Sequence, residues 1–336
     1  MIETLTMLVC LSLSQTPQKP AAATVVVAPA KVIEGVRPEA LAAGPKGSYF
    51  AASLENKSIE IIDATSHGVA RTFQGPPQPA MAVAWSADGT LLASGDESAR
   101  IFIWNAETGA KLQMLQGHQR GIQDLSFNYP RTLLISTGKD DVVKIWNVES
   151  GKSVASIPGD GANFYSATFE GKLNRFGVGV LGVGARDYSA TGKVDGFYTG
   201  HGGQGVFDIA FNKAGTRAVT AGRDGTAIVW DTKTMTKLGS LKGHSDWVVH
   251  CAFSPNGQYI ATSGDDRTVR IWSPYSFKQV GELDDQQAVG SPLCWTADGK
   301  YLITVNFSDF LQINSVTPPQ GGVVAAAKPV RKHRRG

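Results

Sequence analysis

Three groups of side chains in this chain hold the ingredients of a hydrolytic triad: a histidine, a hydroxyl and a carboxylate. They are His118 with Ser136 and Asp140, His201 with Thr220 and Asp224, and His244 with Thr262 and Asp266. A base oriented by a carboxylate and set against a hydroxyl makes a nucleophile. Catalytic sites are single, however, and this constellation returns three times at a fixed interval. A polar network repeated in that way reads as structural cement.

Other signs of chemistry are thin. The remaining histidines, His67, His250 and His333, belong to no HxH or HExxH pattern and no acid-rich ligand loop, so no metal site is expected. His250 falls on an inner strand and is read as a lone, solvated side chain facing a channel. Cys10, Cys251 and Cys294 form no CxxC pair. Cys251 and Cys294 sit one residue out of register on neighbouring units, which points their thiols apart and predicts free, buried cysteines. No phosphate-binding loop, dinucleotide fingerprint or nucleophile elbow occurs, and no cofactor is expected. The Gly-rich run from Phe176 to Gly184 has no helix after it to receive a phosphate and reads as a strand packed closely on a neighbour.

Groups that recur need an element that recurs. Trp104, Trp146, Tyr188, Trp230 and Trp272 stand 42 residues apart. One position earlier the residues are Ile103, Ile145, Asp187, Val229 and Ile271; two positions earlier the column is mostly polar. Such alternation marks a half-buried strand. A second column holds Trp85, Phe127, Phe169, Phe211, Phe253 and Trp295. A third holds Gly47, Gly89, Gly215, Gly257 and Gly299, with Arg131 and Leu173, and marks a tight turn. Seven units follow, from about residue 33 to 317. Each reads as four strands; in the unit at 243–284 they are predicted over 247–253, 258–262, 269–272 and 279–283. A four-stranded sheet with two apolar faces cannot bury both alone, and radial stacking solves this. The expected fold is all-β, a seven-bladed β-propeller of four-stranded antiparallel blades with the aromatic column between blades.

Gly117-His118, Gly200-His201 and Gly243-His244 open three repeats, and Trp104-Asn105, Trp146-Asn147, Trp230-Asp231 and Trp272-Ser273 close four third strands. The chain thereby resembles the WD-repeat β-propellers over most of its length. The resemblance implies a hydrogen-bonded tetrad of His, Ser or Thr, Asp and Trp, so that Trp146, Trp230 and Trp272 complete the three groups above. It also implies a scaffold for other molecules, with partners on the face carrying the Gly-His loops. There it points to Arg120, Lys139, Arg223, Trp247 and Asp265, with Glu97, as partner-binding candidates. The other four units depart from the pattern: Pro76 and Ser98 replace His and Asp in the second, and the first and last lack both Trp and tetrad. The first, residues 48–73, is similar to the YVTN-type repeat of bacterial surface and lactonase-like propellers. That likeness implies a bacterial protein, and a lactonase-like hydrolase as the alternative to a scaffold.

The formal charge of +3 is misleading. Residues 328–336 carry five Lys or Arg and no acid, which leaves the rest of the chain at −2. The body is not a basic nucleic-acid binder, whereas the tail from Lys328 to Arg335 suits an anionic surface. Leu5 to Ser14 has the length and apolarity of a secretory signal core, although Met1 to Thr4 holds an acid and no base. Export is the expectation and a cytoplasmic chain the alternative. Residues 15–31 read as a Pro/Ala linker containing a β-prone segment, 24–28, which competes with 322–327 to supply the seventh sheet's outer strand and is preferred. Nothing calls for a second copy, and a monomer is expected.

Overall fold

The computed structural model describes residues 25–319 except 36, 160, 162, 172–173 and 287–291. The signal-like run, residues 322–327 and the basic tail lie outside the described residues. Within them, 28 strands form seven antiparallel sheets of four. Six sheets, or blades, take four consecutive strands each; the third uses Ile122–Phe127, Leu133–Gly138, Val142–Asn147 and Ser153–Pro158.

Apolar side chains on both faces of each sheet force the arrangement, because a single sheet leaves two such faces wet. The structure accordingly has an apolar cluster at each junction between blades. Ile101 and Ile103 of the second blade meet Ile122, Leu134 and Trp146 of the third. Leu311 and Ile313 of the last meet Phe50 and Ile62 of the first, which closes the ring. Phe127, Phe169 and Trp295 of the aromatic column are buried in these junctions, and Trp85, Phe211 and Phe253 pack at their margins. The glycine column has a backbone cause. Gly89 and Gly215 have φ of 81° and 66°, in the left-handed region that a tight turn demands. Arg131 holds the same conformation without that freedom, at φ 74°.

A second set of contacts ties the blades at the channel. Asp124, Ser166 and Asp208 sit at equivalent positions on three inner strands, and each accepts a backbone N–H from the next blade. The donors are Ala167 at 2.9 Å, Ile209 at 3.2 Å and Cys251 at 3.0 Å. His250, the fourth member of this column, is not solitary: its Nδ1 lies 3.5 Å from the Asp208 carboxylate. Cys251 and Cys294 are free and buried, and burial pushes both thiols up.

The seventh sheet takes its outer strand from the start of the chain. Val26–Ile33 pairs with Leu311–Thr317, with a bulge between Pro29 and Lys31 where a proline is tolerated. The strand therefore runs past the segment 24–28 and through residues that composition assigns to a linker; Thr24 lies outside the described residues. Just before it, the Val25 N–H donates to Val280 O at 2.8 Å, and its side chain is only 2% exposed. The same stretch thus completes the seventh blade and touches the sixth. Val25→Asp should cost about 2–4 kcal/mol by burying an unpaired charge at this seam. An unchanged urea midpoint would show that the seam does not hold the ring shut.

Candidate functional site

The three tetrads are assembled as hydrogen-bonded chains. In the third blade the Trp146 indole N–H donates to Ser136 Oγ at 2.8 Å, Ser136 Oγ lies 2.8 Å from His118 Nε2, and His118 Nδ1 lies 2.9 Å from Asp140. In the fifth, Trp230, Thr220, His201 and Asp224 are linked at 2.9, 2.7 and 2.9 Å. In the sixth, Trp272, Thr262, His244 and Asp266 are linked at 2.8, 2.7 and 2.9 Å. The carboxylate can only accept, so Nδ1 carries the proton of the neutral imidazole; Nε2 then accepts from the hydroxyl, which in turn accepts the indole N–H. Atom for atom this is triad geometry, yet Ser136, Thr220 and Thr262 are 0% exposed and already accept the indole N–H. No substrate reaches these hydroxyls.

Other blades solve the same problem with different residues. In the second, Trp104 still donates to Ser94 Oγ at 2.9 Å. Asp96, on the same strand as Ser94, instead accepts the N–H groups of Ser98 and Arg100 and pairs with the Arg100 guanidinium. The last blade does not lack the network. Asn314 Nδ2 donates to Thr304 Oγ1 at 3.0 Å, and Thr304 donates to Gln286 Oε1 at 2.7 Å. Asn314, Thr304 and Gln286 each stand 42 residues after Trp272, Thr262 and His244. Among the described residues the fourth blade has neither version. Tyr188, in the Trp position, stacks on Phe176 with centroids 5.3 Å apart, and the odd Asp187 pairs with Arg175, which also faces Glu170 at 3.7 Å and Asp195 at 3.9 Å.

Burial lowers the three tetrad histidines below their ordinary 6.5, against the opposing pull of Asp140, Asp224 and Asp266. A depressed histidine favours the fold while neutral, so this stability is present above about 6.5 and declines as pH falls below it. Burial, then the nearby Asp208 carboxylate, push Asp124 up to about 7. Its sign is opposite: a raised carboxyl favours the fold while protonated, and that stability is lost as pH rises from 4 to 7.

Strands alternate in direction, so the Gly-His loops and the hairpins between second and third strands open on one face of the ring. All the partner-binding candidates lie there, in two groups. At the second and third blades, Lys139 pairs with Glu97 at 2.6 Å, and its N–H donates to Gly121 O, next to exposed Arg120. At the fifth and sixth, the Arg223 guanidinium lies 4.4 Å above the Trp247 ring. Asp265 joins them through its N–H, which donates to Trp247 O at 2.9 Å. The inner strand begins at Val248, which leaves Trp247 in the loop and 36% exposed.

Sequence reasoning missed what surrounds this pair. Trp247 packs on Phe207 at 5.6 Å, and Phe207 on Tyr165 at 5.3 Å. A cleft of about 540 Å³ opens beside them, lined by Arg223, Trp247, Gln204, Asn163, Leu181 and glycines including Gly182 and Gly203. The Gly-rich run thus does two jobs. A Cβ at Gly177 would stand 2.7 Å from Ile209, the expected close packing, whereas one at Gly182 would meet nothing within 4 Å. Phe307, 63% exposed under Arg267, was also missed, though it stands 42 residues after Asp265. Among the described residues no group of three His, Cys, Asp or Glu side chains could hold a metal ion.

Trp272→Ala should cost about 3–5 kcal/mol, as large core truncations do, and Asp266→Ala about 1–3 kcal/mol by stranding its donors. Urea titration would decide, and equal effects would break the ordering. Asp124→Asn should raise the melting temperature at pH 8 and leave it unchanged at pH 4. The reverse pattern would refute the sign derived for the channel carboxylate.

Comparison with protein-family models matches the WD domain, G-beta repeat, at residues 68–105, 109–147, 192–231 and 235–273. A search of the curated proteins finds no match. The matched stretches end on the third strands of the second, third, fifth and sixth blades, those that carry Trp104, Trp146, Trp230 and Trp272. The first blade has the same four-stranded build as the matched ones. With four matching repeats in a ring of seven four-stranded blades, the chain belongs to the WD-repeat β-propellers.

Proposed function

We propose that this propeller is a non-catalytic scaffold that binds a protein or peptide on the face carrying the Gly-His loops, with Arg223 and Trp247 at the heart of the contact. The exposed Arg223–Trp247 stack carries the reading. Arg and Trp dominate the energetics of protein interfaces, and here the aromatic is held rigid by Phe207 and Tyr165 before any partner arrives. The sealed hydroxyls of the three tetrads favour binding over hydrolysis. The apolar run from Leu5 to Ser14 supports work outside the cytoplasm.

The test is association with a partner captured from the native source. Arg223→Glu should slow association and change its salt dependence, with the melting temperature preserved. Trp247→Ala should speed dissociation at least about tenfold, the scale of an interface anchor. Partner binding indifferent to both substitutions would overturn this placement. Turnover of lactones or esters by the purified protein, abolished by one substitution in the propeller, would overturn the scaffold reading itself.

A further inference from the structure

The Arg223 guanidinium spends its π face on Trp247, which leaves its edge of N–H donors free. Among the described residues it has no carboxylate partner. The acids next to Arg223 and to Trp247 in sequence are engaged elsewhere: Asp224 holds His201 and Thr226, and Asp246 accepts the Trp247 N–H at 2.8 Å. By contrast Lys139, at the equivalent position two blades earlier, is already neutralised by Glu97. Among the described residues Arg223 is therefore a cation without a carboxylate, stacked on an aromatic support at the wall of a cleft.

Apart from Leu181, the rest of the cleft presents amides and bare backbone. Gln204 and Asn163 line it, and a Cβ at Gly182 or Gly203 would meet nothing within 4 Å. Both glycines have positive φ, +80° and +79°, so an L side chain there would be strained as well as obstructive. Side-chain amides and uncovered main chain are suited to the alternating donors and acceptors of another extended chain.

From this geometry we infer that the cleft takes an extended acidic peptide, with one Glu or Asp carboxylate forked on the Arg223 edge and its backbone along Gly182, Gly203 and Gln204. The inference rests on the scaffold reading and names its ligand. A single guanidinium matches a single carboxylate; a phosphate dianion is ordinarily held by a cluster of cations, and among the described residues that line the cleft Arg223 has no second cation beside it.

The experiment is fluorescence anisotropy on the full chain with three labelled octapeptides: an alternating Ala-Glu sequence, its Ala-Gln counterpart, and one with phosphoserine in place of Glu. The Ala-Glu peptide should bind, and more weakly with added salt. Replacing Glu by Gln, or Arg223→Gln in the protein, should each weaken binding at least tenfold. Arg223→Lys should restore only part of the loss, since it keeps the charge but not the stacked fork. Equal binding of the Ala-Gln peptide, tighter binding of the phosphoserine peptide, full rescue by lysine, or indifference to Arg223→Gln would each overturn the inference. Partner association lost in Trp247→Ala while no acidic peptide binds would overturn it and leave the scaffold reading standing. Arg223-dependent binding of the Ala-Glu peptide by a protein with no protein partner would do the reverse.

Discussion

A four-stranded sheet that is apolar on both faces cannot exist by itself in water, and every other feature of this protein follows from that constraint. Each blade must find two neighbours, so the blades form a ring and the core is divided into seven interfaces. The aromatic column, the positive-φ turns and the inner-strand clips all serve those interfaces. The clips are instructive because they are polar. Asp124, Ser166 and Asp208 reach across to backbone N–H groups that the neighbouring inner strand would otherwise leave unpaired.

The tetrads answer a second need. Each Trp of a third strand brings an indole N–H into a dry interface, where an unmatched donor is costly. Passing that proton demand through a hydroxyl and an imidazole to a carboxylate near the surface satisfies every group in turn. Blade by blade the chain varies the answer: a full relay in the third, fifth and sixth, a shortened one in the second, an amide relay in the last. The fourth dispenses with it and buries an Arg175–Asp187 pair instead. A departure from the repeat at the fourth blade coincides with the cleft, and regularity gives way where the surface becomes distinctive.

The blade architecture was legible because strand alternation and a constant repeat length are written in residue types. The tetrad residues were legible for the same reason. Gln286, Thr304 and Asn314 were not, because amides carry the same donors and acceptors under different letters. The inner-strand clips escaped notice since their partners are backbone groups, which no residue type betrays. Arg175 opens its blade's second strand and Glu170 follows the first, outside the columns read from the sequence, so only Asp187 stood out. Trp247 and Arg223 could be named from their loop positions, but their stacking, and the separate patch formed by Arg120 and Lys139, depend on how neighbouring loops lean together. The open floor at Gly182 depends on a backbone conformation that composition cannot distinguish from close packing at Gly177.

The closing strand also sets a clock. Ala28 and Ser315, which share a hydrogen bond at 3.3 Å, are 287 positions apart along the chain. During synthesis this strand emerges long before the strand it pairs with, Leu311–Thr317, exists, on the order of 15–60 s earlier at ordinary rates of elongation. Throughout that interval Val26–Ile33 is a bare strand with unpaired edges, the kind of segment that seeks any other edge on offer. Its proline at position 29, its lysine at 31 and its bulge are the features that make a premature pairing less secure. The sheet that closes the ring is thus completed by the earliest of the described strands to be made.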